Sequence, residues 1–380
     1  MLQQQVKERF SDIEYPKWKR VGELQKKDLI QENFDKKMLE IEYNETIIHQ
    51  GVRIHQLRGR DADIDEVFYI PYESTLERFK AYPYGTHEKY ITEADGFFDQ
   101  GVIVNVPKNV SVEEPVFLRY DAGKGNGFID QNLICVGEGA NITVVFDYTS
   151  SGDEIGYHNG LIRVLAEANA RVKIILLQTF AKGIDHIQNT VSVIGNYGHV
   201  EYVSFDLGAN VIASDYSAHL VGEASESEVA TAYIGNGHQR LDLGYNSTHY
   251  GRYSQSLIET KGALLDHARK VFRGNLKFER GSTKSSGEES EYVLLLDENV
   301  RSDALPALLC DEDDVSGEHA ASAGQVDEDQ LFYLMSRGFN LKEAKKLVIH
   351  GSFSPIIDRL GITSIQERVE LELERRLLYA

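Results

Sequence analysis

Four stretches in the middle of the chain share one pattern and decide the fold: LICVGEGANITVVFDY (133–148), LIRVLAEANARVKIILLQ (161–178), TVSVIGNYGHVEYVSFD (190–206) and AHLVGEASESEVATAYIG (218–235). In each stretch an apolar run leads into a short turn of small or acidic residues and then into a second run. The turns begin at intervals of 29, 29 and 27 residues, at Gly137, Ala166, Gly195 and Gly222. Repeats of this length are typical of stacked coils whose strands bury one continuous core.

The same texture extends from about Gly101 to Leu296, where short β-branched runs alternate with turns and long helical periodicity is missing. Strands at regular spacing with turn signals indicate a mainly β architecture. We therefore predict a β-helix, also called a β-solenoid. A β-sandwich stays open as the alternative, because its strands also recur at short intervals.

The composition narrows the class of protein. The chain has 380 residues, with 60 acidic against 40 basic ones and a formal net charge of −20, which argues against a nucleic-acid-binding surface. It has no apolar run long enough to span a bilayer and no signal-peptide core at its start, so we expect a cytoplasmic protein without membrane contact. Only two cysteines are present, Cys135 and Cys310, and both lie in apolar runs typical of buried, inert thiols.

The two ends of the chain are more helical than the middle. Near the N-terminus, charged helix-like segments at 6–15 and 65–82 flank two strand-like segments at 36–43 and 45–57. No nucleotide-binding loop of the GxGxxG or Walker type accompanies them. We divide the chain into an N-terminal mixed domain (1–95), a β core (96–322) and a C-terminal helical domain (323–380).

Capping signals predict four short helices in the C-terminal domain. Their expected starts are Asp327, Asn340, Ser354 and Ser364, and glycines at Gly338 and Gly351 are expected to end the first two. Leu331, Leu334 and Met335 share one face of the first helix. By periodicity this face is ordinary core, although an apolar patch for a partner is the alternative.

The run DDVSGEHAASAGQVDEDQLFYLMSRG (313–338), with VFRGNLKFERGS (271–282) and YVLLLDENVRSDALPALL (292–309) before it, resembles the SufB/SufD family of iron–sulfur cluster assembly proteins. The likeness includes GVIVNVPKNVSVEEPVFL (101–118), is weaker at PKWKR near the N-terminus, and spans about residues 95 to 360. It implies a right-handed parallel β-helix flanked by small helical N- and C-terminal domains.

The resemblance also implies a function as a non-catalytic scaffold subunit. In this family, the β-helix pairs with a SufB-like paralogue, and the C-terminal helices bind a SufC-like ABC ATPase. A transient iron–sulfur cluster is built on the complex, so we expect neither a tightly bound cofactor nor a catalytic residue on this chain alone. The isolated chain is also a candidate for a homodimer.

The residues around His319 favour the SufD side of the family. SufB-type members typically carry a cysteine two positions before the histidine, and that position is Gly317 here. The N-terminal cysteine motif of many SufB proteins is absent too. The chain is therefore most like SufD.

By resemblance, His319 is the candidate iron or cluster ligand at the partner interface, with Glu318 or Asp314 as acceptor of its ring N–H. From the residues alone, a polar surface histidine is the plainer interpretation. For the acidic run 311–314 we expect a solvated edge rather than a metal site. The residues expected to dock the ATPase are Leu331, Phe332, Met335, Arg337 and Gly338.

Two other functions remain open at this stage. The many carboxylates are compatible with a β-helix carbohydrate-active enzyme that uses an acid/base pair. A β-solenoid that serves purely as a structural dimerisation partner, without a metal role, is the second alternative.

Overall fold

The computed structural model describes residues 46–49, 52–57, 72–98, 100–122, 127–150 and 155–378. The predicted helix at 6–15 and strand at 36–43 lie outside these residues. Within them, the strands in chain order are β1 (Thr46–His49), β2 (Val52–Leu57), β3 (Gln100–Val106), β4 (Val116–Asp121), β5 (Gly127–Val136), β6 (Asn141–Thr149), β7 (Gly156–Ala166), β8 (Arg171–Gln178), β9 (Ile184–Ile194), β10 (His199–Asp206), β11 (Val211–Leu220), β12 (Glu226–Gly235), β13 (Arg240–His249), β14 (Gln255–Leu264), β15 (Arg269–Phe278), β16 (Ser286–Leu295), β17 (Arg301–Ala304), β18 (Ala307–Cys310) and β19 (Ser316–Gln325). The helices are α1 (Tyr72–Lys80), α2 (Glu88–Phe97), α3 (Glu328–Ser336), α4 (Leu341–Asp358) and α5 (Thr363–Leu378).

The strands form two sheets between which the chain alternates. The first sheet has the order β1-β2-β3-β5-β7-β9-β11-β13-β15-β17, with β18 also pairing with β15, and the second has the order β19-β16-β14-β12-β10-β8-β6-β4. Strand β1 pairs antiparallel with β2, and β2 pairs antiparallel with β3. From the β3–β5 pair onward in the first sheet, and from the β4–β6 pair onward in the second, all pairs are parallel. A chain that returns to the same sheet with a parallel strand on every circuit is a β-helix. The predicted fold class is therefore confirmed, and the sandwich alternative is wrong.

Coil length follows the spacing read from the turns. In the second sheet, successive stacked positions are separated by 30, 28, 27, 29, 31 and 30 residues, as given by the register partners Asn141, Arg171, His199, Glu226, Gln255, Ser286 and Ser316. The repeat that is visible in four turns thus continues up to β19, the strand that bears His319.

One corner of the coil has the same backbone geometry in seven successive turns. A residue with φ between 50° and 67° recurs there, at Asn109, Gly139, Asn169, Tyr197, Ala224, Tyr253 and Lys284. The N–H of each donates to a carbonyl of the following coil, as Asn169 does to Asn196 (2.8 Å) and Tyr197 to Glu223 (2.8 Å). This conformation is unfavourable for residues other than glycine. The hydrogen bonds between coils offset that cost and lock the register of the stack.

Apolar side chains are buried on both faces of the central strands, which explains their unbroken hydrophobic runs. Between the two sheets lies a core that includes Val104, Ile134 and Val164. Helices α1 and α2 cover the outer face of the first sheet, where Phe79 packs with Leu133. Helices α3 to α5 cover the outer face of the second sheet through a separate cluster that includes Ile175, Phe205, Ile349, Phe353 and Ile356.

The C-terminal helices number three among the described residues, not the predicted four. Asn340 forms the expected capping box with Glu343, but α4 continues through Gly351 and contains Pro355. A proline inside a helix loses one hydrogen bond and crowds the carbonyl four residues earlier. The burial of Phe353, Ile356 and Ile357 against the second sheet outweighs this local cost. No helix in the described part is long and apolar enough to cross a bilayer.

The interior also contains buried histidines in register. His158 on β7 and His186 on β9 are stacked partners whose Nδ1 atoms lie 2.7 Å apart, and His158 Nε2 lies 2.6 Å from Asp130 Oδ1. Burial lowers the pKa of His158 to about 3 and raises that of Asp130 to about 8, because it disfavours both charged forms. The two groups therefore form a neutral pair that shares one proton.

His249 makes stability dependent on pH in a testable way. Its Nδ1 lies 2.8 Å from Ser254 Oγ and its Nε2 2.9 Å from Ser256 Oγ, and burial lowers its pKa to about 3. As the pH falls below the ordinary histidine pKa of about 6.5, the unfolded chain takes up a proton that the folded chain does not. The stability associated with neutral His249 is therefore complete above pH 6.5 and is lost towards pH 3, by about 1.4 kcal/mol per pH unit.

We expect His249→Asn to lower the free energy of unfolding at pH 7, since it removes ring packing on Phe278. The loss of stability between pH 7 and pH 5, measured by urea denaturation, should be about 2 kcal/mol smaller than in the parent protein. His238→Asn, which changes an exposed ring, is the matched control and should retain the parent's pH dependence. The same pH dependence in His249→Asn would contradict this account.

Candidate functional site

The last coil of the β-helix has an open edge. Among the described strands, β19 pairs only with β16 and is the terminal strand of the second sheet. Its sequence SGEHAASAGQ consists mainly of small residues, and nearly all of them are exposed. In the first sheet, β17 and β18 are separated by Leu305 and Pro306, and their residues are half-buried or exposed. A strand edge of this kind presents unpaired backbone groups to which a further strand can be added.

His319 lies on β19 directly across from Glu289 of β16. Since register partners in a parallel sheet project to the same face, His319 shares the inward face of the second sheet with Glu289. It is exposed because it belongs to the terminal coil. Glu318 pairs with Glu288 on the opposite face, and Asp314 Oδ2 lies 2.9 Å from Lys284 Nζ. Glu318 therefore lies on the face opposite His319, and the Asp314 carboxylate is engaged by Lys284.

Glu289 is a buried carboxylate that sequence reasoning missed. It is 2% exposed, and neither of its oxygens has a hydrogen-bond partner in the described structure. Burial raises its pKa to about 7, and the nearby negative charge of Glu291 acts in the same direction. Gly274 on the facing sheet makes room for the side chain, since a Cβ at that position would lie 2.5 Å from Glu289 Cδ.

Two residues along the same strand, Glu291 is fully engaged. Lys270 Nζ donates to both of its carboxylate oxygens, at 2.6 and 2.8 Å, and the Tyr233 hydroxyl donates to Oε1 at 2.9 Å. Burial raises the pKa of Glu291 and lowers that of Lys270, while each partner's charge opposes the shift of the other. A buried ion pair therefore lies one coil below the open edge. The every-second-residue spacing of Glu289 and Glu291 in SGEESEYVLLL (286–296) indicates that both side chains project from one face of a strand. Only the register of the stacked strands shows that this face points inward.

The acidic run and the cysteines have simpler roles. Glu312 accepts from the backbone N–H groups of Gly281 (2.9 Å) and Asp313 (3.0 Å), which anchors a loop. No group of three or more His, Cys, Asp and Glu side chains in the described residues is arranged to hold a metal ion.

Cys135 is buried, as predicted, and burial raises its thiol pKa to about 12. The prediction that Cys310 is buried is wrong, because it ends β18 in the exposed terminal coil.

Helix α3 carries an exposed apolar patch. Phe332 is 74% and Met335 45% exposed, and the neighbouring Tyr333, Phe339 and Leu341 are exposed as well. Arg337 stacks over Tyr333, with 5.1 Å between its guanidinium carbon and the ring centroid, and Gly338 ends the helix with φ of 99°. Leu331 instead packs against the apolar cluster beneath the helices. Leu331 is thus half-buried, whereas Phe332 and Met335 are accessible, and docking of a partner by these residues stays a prediction.

A second feature of the helical region is a groove of about 330 Å³ between α4 and α5. Its walls combine apolar side chains with charged ones, and Leu371 on its rim is 66% exposed. An ion pair between Lys346 and Glu374 crosses it, and His350 Nε2 lies 3.5 Å from Glu370 Oε1. The helices are attached to the β-helix by Arg376, whose Nη2 donates to the carbonyl of Phe180 at 3.1 Å.

These features define a β-helical protein with two surfaces accessible to other chains, the β19 edge and the α3 patch. A family model described as SUF system FeS cluster assembly, SufBD core domain, matches residues 118–352. The chain therefore belongs to the SufBD family of the SUF iron–sulfur cluster assembly system.

The chain is similar to the iron–sulfur cluster assembly protein SufD of Bacillus subtilis, with 31% identity over 280 residues, which are 73% of this chain and 64% of that protein. It is also similar to SufBD family proteins of Staphylococcus saprophyticus (28% over 283 residues, 72% of this chain and 60% of the relative) and Staphylococcus haemolyticus (27% over 325 residues, 82% and 68%). The chain spans less than two thirds of the length of the first two relatives.

We expect the buried pair of Lys270 and Glu291 to show strong coupling. Lys270→Met leaves Glu291 as an uncompensated buried charge and should lower the free energy of unfolding by about 3–5 kcal/mol. The double change Lys270→Met with Glu291→Gln keeps an acceptor for Tyr233 and should recover most of that loss. Urea denaturation of the two single variants and the double variant forms a thermodynamic cycle. Additive losses in this cycle would show that the two side chains are not coupled.

Proposed function

We propose that this chain is a SufD-type, non-catalytic subunit of a cytoplasmic scaffold on which a transient iron–sulfur cluster is assembled. Its β19 edge pairs with a SufB-like paralogue, and its C-terminal helices bind a SufC-like ABC ATPase. The observation that carries the proposal is the position of His319, on the exposed edge strand of the last coil in a chain of the SufBD family. Membership of an assembly family argues against the carbohydrate-active enzyme that the carboxylates alone suggested.

The β19 edge is suited to strand addition. Its exposed Ala320, Ala321 and Ser322 present little side-chain bulk, so another backbone can approach closely. Main-chain hydrogen bonds then supply much of the affinity. The same edge allows two copies of this chain to pair when the paralogue is absent, which accounts for the expected homodimer.

The edge also determines which ligands this chain contributes to the cluster. A Cβ at Gly317 would lie 2.5 Å from Leu308 Cδ1, so a cysteine there would require Leu308 to shift. His319 is then the ligand that this chain provides, and thiolates are supplied by the paralogue. Imidazole can replace thiolate on iron in iron–sulfur clusters.

The α3 patch is the proposed ATPase-binding surface. Phe332 and Met335 provide an exposed apolar anchor for it. Because α4 and α5 pack directly on the second sheet, movement of a bound ATPase acts on the β-helix itself. ATP binding can drive such a movement only if it favours one arrangement of the subunits over another.

Replacing His319 tests the metal role. In the complex co-purified with its SufB-like and SufC-like partners, we expect His319→Ala to lower iron and acid-labile sulfide content about tenfold or more, because a ligand is lost. The subunit composition should not change, since an alanine on β19 leaves strand addition intact. Glu318→Ala, on the opposite face of the same strand, is the control. Unchanged cluster content in His319→Ala would leave the purely structural dimerisation partner as the better account.

Charged substitutions test the α3 patch. We expect Phe332→Glu combined with Met335→Glu to weaken binding of the SufC-like ATPase by about 30-fold or more, the effect of losing a hot spot of about 2 kcal/mol. Pairing with the SufB-like paralogue should be retained. Phe117→Glu, an exposed aromatic on β4 in the first coils, is the matched control. Surface plasmon resonance measures the affinity of the ATPase for the parent, the double variant and the control. Equal affinities for all three would place the ATPase elsewhere.

A further inference from the structure

Glu289 is energetically anomalous among the interior carboxylates. Asp130 and Glu291 accept hydrogen bonds from their neighbours, but both oxygens of Glu289 lack a partner in the described structure. Burying a carboxylate without a partner costs several kcal/mol in a real protein. A bound ion is one physical reason for a protein to retain such a group.

The layer above Glu289 is thin. The inward positions of β19 that stack over β16 are occupied by Gly317, His319, Ala321 and Ala323. Apart from the imidazole, none of these side chains is larger than a methyl group. On the facing sheet, the position that would stack over Gly274 falls at Pro306, in the interruption between β17 and β18. On β19, the layer that stacks over the carboxylate therefore consists of His319 and small residues, and Leu308 of β18 packs beside Gly317 in the same coil.

Glu289 and His319 can reach a common point. They are register partners on adjacent parallel strands, whose backbones lie about 4.8 Å apart, and their side chains leave from the same face. A carboxylate oxygen and an imidazole nitrogen are the donor types that bind ferrous iron in the absence of sulfur ligands. Lys270, the nearest buried cation, is already committed to Glu291.

We propose that Glu289 and His319 together bind a divalent iron ion on this chain, as an oxygen- and nitrogen-ligated iron site at the open end of the β-helix. The inference rests on the proposed metal role of His319 and adds a second ligand to it. The remaining coordination positions are taken by water and, in the complex, by side chains of the paralogue. Iron is held here by hard ligands before sulfide and thiolate are added.

A purely structural role for Glu289 makes a different prediction. If the carboxylate stabilised the metal-free fold, Glu289→Gln would destabilise it. An unpartnered buried carboxylate is instead unfavourable in the absence of metal, so the nearly isosteric amide should leave the thermal midpoint of the metal-free protein equal or higher. Glu288→Gln, the exposed neighbour on the opposite face, is the matched control.

The experiment uses the full-length, metal-free chain under anaerobic conditions, with Co(II) as the probe. We expect one Co(II) per chain, detected by its visible d–d absorption and by calorimetry, and competition by Fe(II). Glu289→Gln and His319→Ala should each weaken Co(II) binding about tenfold or more, whereas Glu288→Gln should leave it unchanged. The d–d spectrum should change in both ligand variants.

The outcomes separate this inference from the function proposed above. Absence of Co(II) binding by the parent chain, or equal affinity in Glu289→Gln, overturns the two-ligand site even if His319→Ala still abolishes cluster loading of the complex. Conversely, unchanged cluster loading in His319→Ala overturns the proposed function, whatever the Co(II) affinities are. A lower thermal midpoint for metal-free Glu289→Gln would assign the carboxylate to the fold instead.

Discussion

Backbone hydrogen bonding from coil to coil is the constraint on which the rest of this structure depends. Each turn of the β-helix satisfies its N–H and C=O groups on the turn before and the turn after, and the left-handed corner residues extend this ladder through the bends. Such a stack has no unpaired strand edge except at its ends. The C-terminal end is the β19 edge, and it places His319 and small side chains where another chain can continue the sheet.

The same stacking organises the polar residues of the interior. Because coils lie in register, a residue at one position faces its counterparts 26 to 32 residues away, as His158 faces His186. The pairing of Lys270 with Glu291 satisfies two charges that would each be prohibitive alone. Glu289, neither of whose carboxylate oxygens has a partner in the described structure, lies next to β19, the largely exposed terminal strand of the second sheet.

The C-terminal helices pack on the β-helix and leave an apolar surface exposed. Helices α4 and α5 bury one side against the second sheet, and α3 leaves Phe332 and Met335 exposed. Arg376 and Arg368 attach α5 to residues of the β-helix, the former to the carbonyl of Phe180 and the latter to Asp147. A partner bound to the α3 patch, such as the proposed ATPase, would therefore be coupled to the β-helix through packed side chains rather than through a flexible linker.

The sequence by itself determined the features that arise from neighbouring residues. The coil repeat, the turns from Gly137 onward, and the caps at Asp327 and Asn340 follow from local backbone preferences and apolar periodicity. Only the tertiary structure decided that α4 continues through Pro355, that Cys310 is exposed, and that Glu289 and His319 are register partners on adjacent strands. The physical reason is that these outcomes depend on which distant coils stack and where the stack ends. Register is set by how each strand pairs with its neighbours, and a one-residue slip of β16 in that pairing would turn Glu289 from the interior to the surface.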